Sequence, residues 1–226
     1  LKDQYKQEFI QYYDERAQEY EGIYDGKAPG IPEPEAYRRD VTAISEICTG
    51  FGHGHIIDVG CGTGFWLPYY VNNCSEVTLL DQSRNMLAEC HRKVNQLAPQ
   101  AKINFVKADF FDLRFLDKKF DGALLAFFIS HLLEDTEGIF FTKLKQLLKP
   151  YSEILWVDGL WSDKRRHYRE KVGFQKRMLS DGRSFQIFKQ YFDETDVKKV
   201  LERYSFALRS LYMGDVFFAA LAVMRH

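Results

Sequence analysis

The segment Ile56 to Trp66 constrains this chain more than any other. A short apolar run, Ile56-Ile57-Asp58-Val59, feeds directly into Gly60-Cys61-Gly62-Thr63-Gly64. The run reads as a buried strand, the alternate glycines as a tight turn, and the residues from Phe65 onward as the opening of a helix. Glycine suits such a turn because, without a Cβ, its backbone reaches positive φ and a ligand can approach the main chain closely. Amides at the start of the helix then face that ligand. A second apolar run, Val77 to Leu80, ends in Asp81. A carboxylate at the tip of the neighbouring strand is placed to hold two vicinal ribose hydroxyls. The expected ligand is a nucleoside.

The glycine spacing decides which nucleoside. A nicotinamide fingerprint counted from Gly60 and Gly62 requires Gly or Ala at position 65, which is Phe65. A phosphate-cradling Gly-Lys-Ser/Thr occurs nowhere. Asp58, Gly60, Gly62 and Gly64 instead match, position for position, the first motif D-x-G-x-G-x-G of the class I S-adenosylmethionine-dependent methyltransferases, which this chain resembles. The resemblance implies S-adenosylmethionine as cofactor. It also implies roles: Asp58 orients the methionine amino group, Cys61 keeps the turn small, and Asp81 grips the ribose. Gln82, Met86, Asp109, Phe110 and Phe127 complete the cofactor set, with Asp109 accepting from the adenine amino group and Met86 and Phe110 framing the ring. From the residues alone, the alternative for Asp109 is an acid capping a turn, and for Met86 and Phe110 it is core packing.

After an N-terminal helix over 3–21 and a break marked by Pro29, Gly30, Pro32 and Pro34, a second helix spans 35–49. Strand-like and helix-like segments then alternate. Strands are expected at 56–59, 77–81, 103–107, 122–127 and 154–158, with helices including 83–97 and 135–148. This rhythm predicts an α/β, doubly wound, mainly parallel sheet. At the end, Phe206–Met213 and Val216–Val223 flank Gly214-Asp215, a link too short for anything but a hairpin. The family habit is a seven-stranded sheet with an antiparallel last strand. The reading is one domain over 1–226, with 1–34 as a lid helix and loop. Residues 160–190, with Asp181-Gly182 as a hairpin turn, form a helix-plus-hairpin cap. The chain begins at Leu1 rather than Met, which leaves room for preceding residues.

Tyr12, Tyr13, Ala17 and Tyr20 resemble the aromatic-x-x-x-Ala-x-x-Tyr helix that folds over the cofactor in many small-molecule methyltransferases. Tyr20 is expected against the cofactor, and Tyr12 and Tyr13 against the acceptor. His131, after the fourth strand, is the candidate general base or acceptor contact; the alternative is a structural histidine. His53 and His55 lack a third ligand, so no metal is expected. The formal charge of −1 offers no field toward nucleic acid or an anionic membrane. The Asp/Asn-Pro-Pro-aromatic signature of amino-directed nucleic-acid methyltransferases is missing, which argues against DNA. The basic run from Lys164 to Lys171 reads as a solvated helix face, or as a contact for an acidic ligand or RNA. Cys48, Cys61, Cys74 and Cys90 show no C-x-x-C spacing and read as free thiols of a cytoplasmic protein. No run spans a bilayer, and nothing indicates a homodimer. The expected activity is in-line methyl transfer to an O, N or S atom of a small molecule. The alternatives are a protein or RNA methyltransferase, an aminopropyl transferase, or a non-catalytic cofactor-binding subunit.

Overall fold

A computed structural model describes residues 2–27, 33–113 and 119–225. Pro29, Gly30 and Pro32 of the expected helix break therefore lie outside the described residues. The order is α1 (Lys2–Arg16), α2 (Pro34–Thr49), β1 (His55–Val59), α3 (Leu67–Tyr70), β2 (Glu76–Asp81), α4 (Arg84–Leu97), β3 (Lys102–Lys107) and β4 (Phe120–Ala126). Then come α5 (Glu134–Leu147), β5 (Leu148–Gly159), α6 (Asp163–Arg166), β6 (Val172–Met178), β7 (Ser184–Gln190), α7 (Glu194–Arg203), β8 (Phe206–Met213) and β9 (Phe217–Met224).

Seven strands form one sheet in the order β3-β2-β1-β4-β5-β9-β8. β1 to β5 pair in parallel, and β9 runs antiparallel between β5 and β8. Successive residues on a strand face opposite ways, so a sheet covered on both sides needs nearly continuous apolar strands. Ile57, Leu125 and Trp156 pack with Phe140, Phe141 and Leu144 of α5 on one face. Ile56, Leu124 and Leu155 pack with Ile44 and Cys48 of α2 and Cys90 of α4 on the other. Each large apolar side chain buried this way stabilises the fold by roughly 1.5–3 kcal/mol.

Two expectations need correction. The helix predicted over 3–21 stops at Arg16, and Tyr20 lies on a separate 3-10 turn, Tyr20–Ile23. Tertiary bonds outcompete helix continuation there: the Glu19 carboxylate accepts from the Ser180 amide at 3.1 Å and Glu21 from Thr63 Oγ1 at 2.6 Å. The helix expected from Phe65 is a single turn, α3, continued by a 3-10 turn at Val71–Asn73. Asn73 ends it by donating to the carbonyls of Thr49 and Phe51, both at 2.8 Å, which turns the chain toward β2.

β6 and β7 form a separate hairpin. Its Leu179, Phe185 and Ile187 bury Tyr12 of α1 in a small core of their own. α1 is also fixed by Asp14, which accepts from Ser83 Oγ at 2.7 Å and the Asn85 amide at 2.9 Å. That carboxylate sits at the positive pole of α4. Helix and hairpin thus lie together over the carboxyl ends of the strands.

Candidate active site

β1 has β2 on one side and β4 on the other, so the strand order reverses there, and a crevice opens beyond the carboxyl ends of β1 and β4. The glycine turn occupies this point. A Cβ on Gly64, at φ +70°, would lie 2.6 Å from Cys90 Sγ, so this glycine lets the turn pack on α4. A Cβ on Gly62, at φ +54°, would meet only the Tyr20 ring at 3.8 Å and Met86 Sδ at 3.9 Å. Gly62 therefore presents bare backbone to open space.

That space is a cavity of about 360 Å³. Gly60, Gly62, Asp81 and Gln82 form one wall, and Met86, Asp109 and Phe110 another. The Asp81 carboxylate accepts from the Gly62 amide at 2.9 Å and the Ser83 amide at 2.8 Å. Burial raises its pKa to about 6 against the opposing pull of those amides. Asp109 combines both of its sequence readings: it lines the cavity, and it caps the turn after β3 by accepting from the Phe111 amide at 2.9 Å. It also pairs with Lys6 of α1 at 2.6 Å.

Three residues of the expected cofactor set do not reach this cavity. Asp58 is buried behind the turn, where it accepts from the Tyr70 hydroxyl at 2.8 Å. Cys61 is buried with its thiol directed at the Gly62 carbonyl, and Gly64 is spent on the contact with Cys90. All three shape the turn. Burial lifts the Asp58 carboxyl to about 7, although the Tyr70 bond pulls it down. An unfolded aspartate ionises near 4, so the folded chain holds this proton longer and loses stability as pH rises from about 4 to 7. The upper part, from pH 6 to 7, lies above the Asp81 titration. Asp58→Asn should flatten the pH dependence of thermal unfolding in that window; an unchanged slope would refute the assignment.

A second cavity, about 420 Å³, adjoins the first, and both are lined by Tyr13, Tyr20, Phe127 and His131. Tyr12 lines only the second. Phe127 holds φ at +55°, an uncommon backbone state for a bulky residue, at the end of β4. His131 Nδ1 lies 2.7 Å from the Phe188 carbonyl, and Nε2 lies 2.9 Å from the Tyr13 hydroxyl. A carbonyl only accepts, so Nδ1 carries the proton and Nε2 accepts from Tyr13. Burial, then the nearby charges of Lys189, Arg177 and Arg16, hold the imidazole well below its ordinary pKa despite the Phe188 bond. With its lone pair facing the Tyr13 hydroxyl and its protonation opposed, the imidazole is arranged as an orienting contact for Tyr13 rather than as a free base.

The sequence reading missed Arg177, Lys189 and Tyr191 of the second cavity. A signal for Lys189 existed. It follows Phe185 and Ile187 at two-residue spacing on the buried face of β7, where a lysine demands a partner. The partner is Asp158, fully buried at the end of β5, 3.0 Å away, with Ser130 beside it.

A sequence profile described as a methyltransferase domain matches residues 56–151. The O-methyltransferase cnsE of Penicillium expansum is 30% identical over 105 residues, 46% of this chain and 37% of that protein. A phosphatidylethanolamine N-methyltransferase of Cereibacter sphaeroides is 28% identical over 111 residues, 49% of this chain and 53% of that protein. The chain spans about half or less of the length of these curated relatives. Over nearly full lengths, the fold is similar to that of the DhpI-SAM-HEP complex, with TM-score 0.75, 23% identity, and 96% and 97% of the two chains covered. It is also similar to the 1,6-didemethyltoxoflavin-N1-methyltransferase of Burkholderia thailandensis, with TM-score 0.67, 16% identity, and 99% and 90% covered. The motif and the fold are those of the class I S-adenosylmethionine-dependent methyltransferases, and the methyltransferase-domain profile spans the part that holds the glycine turn.

Proposed function

We propose that this chain binds S-adenosylmethionine in the first cavity and transfers its methyl group to a small molecule held in the second. The observation that carries the reading is the wall common to the two cavities: Tyr13, Tyr20, Phe127 and His131 lie where two reactants would meet. Three features of the first cavity fit the cofactor. Gly62 leaves open backbone, and Asp81 is aimed by two amides with acceptor capacity to spare. Gln82 Oε1 is buried without a hydrogen-bond partner, an arrangement that costs free energy until a donor arrives.

The sulfonium supplies a methyl group already activated toward a nucleophile. The residues around it contribute alignment and exclusion of water, which together can lower a barrier by roughly 7–11 kcal/mol. α1 and the β6–β7 hairpin serve as the covers, joined by the Gln186 amide donating to Glu8 at 3.0 Å and by the Arg183–Glu15 ion pair. The closed approach favours a small acceptor over a protein or RNA. In helices and strands packed this closely, four buried free thiols fit a reducing compartment, and we assign the protein to the cytoplasm.

Calorimetric titration with S-adenosylmethionine and its demethylated product tests the reading, and no detectable affinity for either would refute it. His131→Ala should leave cofactor affinity within about twofold and slow turnover about tenfold, the scale of one lost orienting bond. His131→Gln, whose amide oxygen can still accept from Tyr13, should restore most of that rate. Neither variant should remove an ionisation near pH 6–7 from the rate profile, since His131 stays neutral in this account.

A further inference from the structure

The second cavity carries a concentration of positive charge that the chain as a whole, at −1, does not share. Among the described residues its wall includes Arg16, Arg165, Arg169, Lys176, Arg177 and Lys189, and no aspartate or glutamate. Lys189 is balanced from behind by Asp158. Arg165, 4% exposed, donates to the carbonyls of Leu160 at 2.7 Å and Val216 at 2.5 Å and lies over the Tyr191 ring. The other guanidinium groups bond only to neutral atoms: Arg16 to the Tyr12 hydroxyl, Arg169 to the Tyr168 carbonyl, and Arg177 to Gln175 and the Tyr191 hydroxyl. Among the described residues, none of these arginines is ion-paired with a carboxylate. Withdrawing cations from water without a counter-charge is costly, and a bound anion offsets the cost.

Resting on the methyltransferase reading above, we propose that the acceptor is an oxyanion, a carboxylate or phosphoryl group, which the cavity arginines hold and one of whose oxygens takes the methyl group. Two features of the wall point this way. The first is the unpaired charge. The second is the lack of a free histidine or carboxylate base: His131 Nε2 is occupied by Tyr13, and among the described residues no carboxylate lines the cavity. A neutral alcohol or an ammonium must shed a proton during transfer, whereas an ionised oxygen has none to lose. An oxyanion lone pair forms the O–CH₃ bond, the S–CH₃ bond breaks with its electrons staying on sulfur, and no proton is released. Opposite charges cancel in that step, which a water-poor cavity favours. The positive field also acts on Tyr191: burial pushes its hydroxyl up, yet Arg177, Arg165 and Lys189 bring it down to about 8.

Calorimetry on the full chain saturated with S-adenosylhomocysteine, using benzoate, phenylphosphonate and benzylamine as probes of similar size, tests the assignment. At least one anion should bind about tenfold or more tightly than benzylamine, the scale of a charge-assisted pair. The tighter anion identifies the carboxylate or the phosphoryl class. Arg177→Gln should weaken that anion about tenfold and Arg177→Lys recover part of it, with S-adenosylhomocysteine affinity unchanged within about twofold, which certifies the fold. Benzylamine binding as well as both anions, or anion affinity indifferent to Arg177→Gln and Arg169→Gln alike, would overturn the proposal. Absence of S-adenosylhomocysteine binding in the unmodified chain would instead remove the methyltransferase reading, and the acceptor with it.

Discussion

Gly62→Val is expected to abolish S-adenosylmethionine binding, a loss of about a thousandfold or more, while the protein still folds. Two effects combine. Gly62 sits at φ +54°, where a residue with a Cβ pays roughly 1–2 kcal/mol and a β-branched one more. The valine methyl groups would also project into the space that the cofactor needs, because the nearest atoms to a Cβ there are 3.8 Å and 3.9 Å away. Gly182→Ala supplies the control. Gly182 has φ +91° with nothing within 4 Å of its Cβ position. That substitution should lower thermal stability by a similar backbone strain and leave cofactor affinity alone. Calorimetry and thermal unfolding of both variants separate strain from blockage, and retained affinity in Gly62→Val would remove the glycine turn from the binding site.

Asp81→Asn should weaken cofactor binding by about a hundredfold to a thousandfold, the loss expected when two charge-assisted bonds to ribose hydroxyls become one neutral bond. The asparagine oxygen can still accept from either Gly62 or Ser83, so only a modest stability loss is expected. The unmodified protein should show a matching pH dependence. Asp81 ionises near 6 in the fold, and the carboxylate is the form that accepts two hydroxyls. Affinity should therefore rise with pH up to about 6 and level off above it, falling up to tenfold per unit on the acid side. Asp81→Asn should lack this slope. Titrations between pH 5 and 8 provide the check; an identical slope in the variant would place the ionisation elsewhere.

These two residues mark how far the cofactor half was legible. Glycine spacing and the acid ending the next apolar run are local patterns, set by what a turn and a strand tip require within a few residues. The same holds for the Gly214-Asp215 link between the last two strands. Asp58 and Cys61 show the limit. The motif places them beside the cofactor, but only packing reveals that Tyr70 claims the Asp58 carboxylate and that Cys61 faces inward. The end of α1 was illegible for the same reason, since Glu19 and Glu21 are held by partners at Ser180 and Thr63.

By itself the sequence determined the doubly wound sheet, the antiparallel final strand and the nucleoside turn, because periodicity, glycine placement and link length act over short stretches of chain. The second cavity was decided only by tertiary structure. Arg16 comes from α1, Arg165 and Arg169 from the segment after β5, and Arg177 and Lys189 from opposite strands of the hairpin. Read in line, these are scattered cations in a nearly neutral chain. Folded, they share one wall on which no carboxylate stands among the described residues, and charge acts through distance in space rather than distance along the chain.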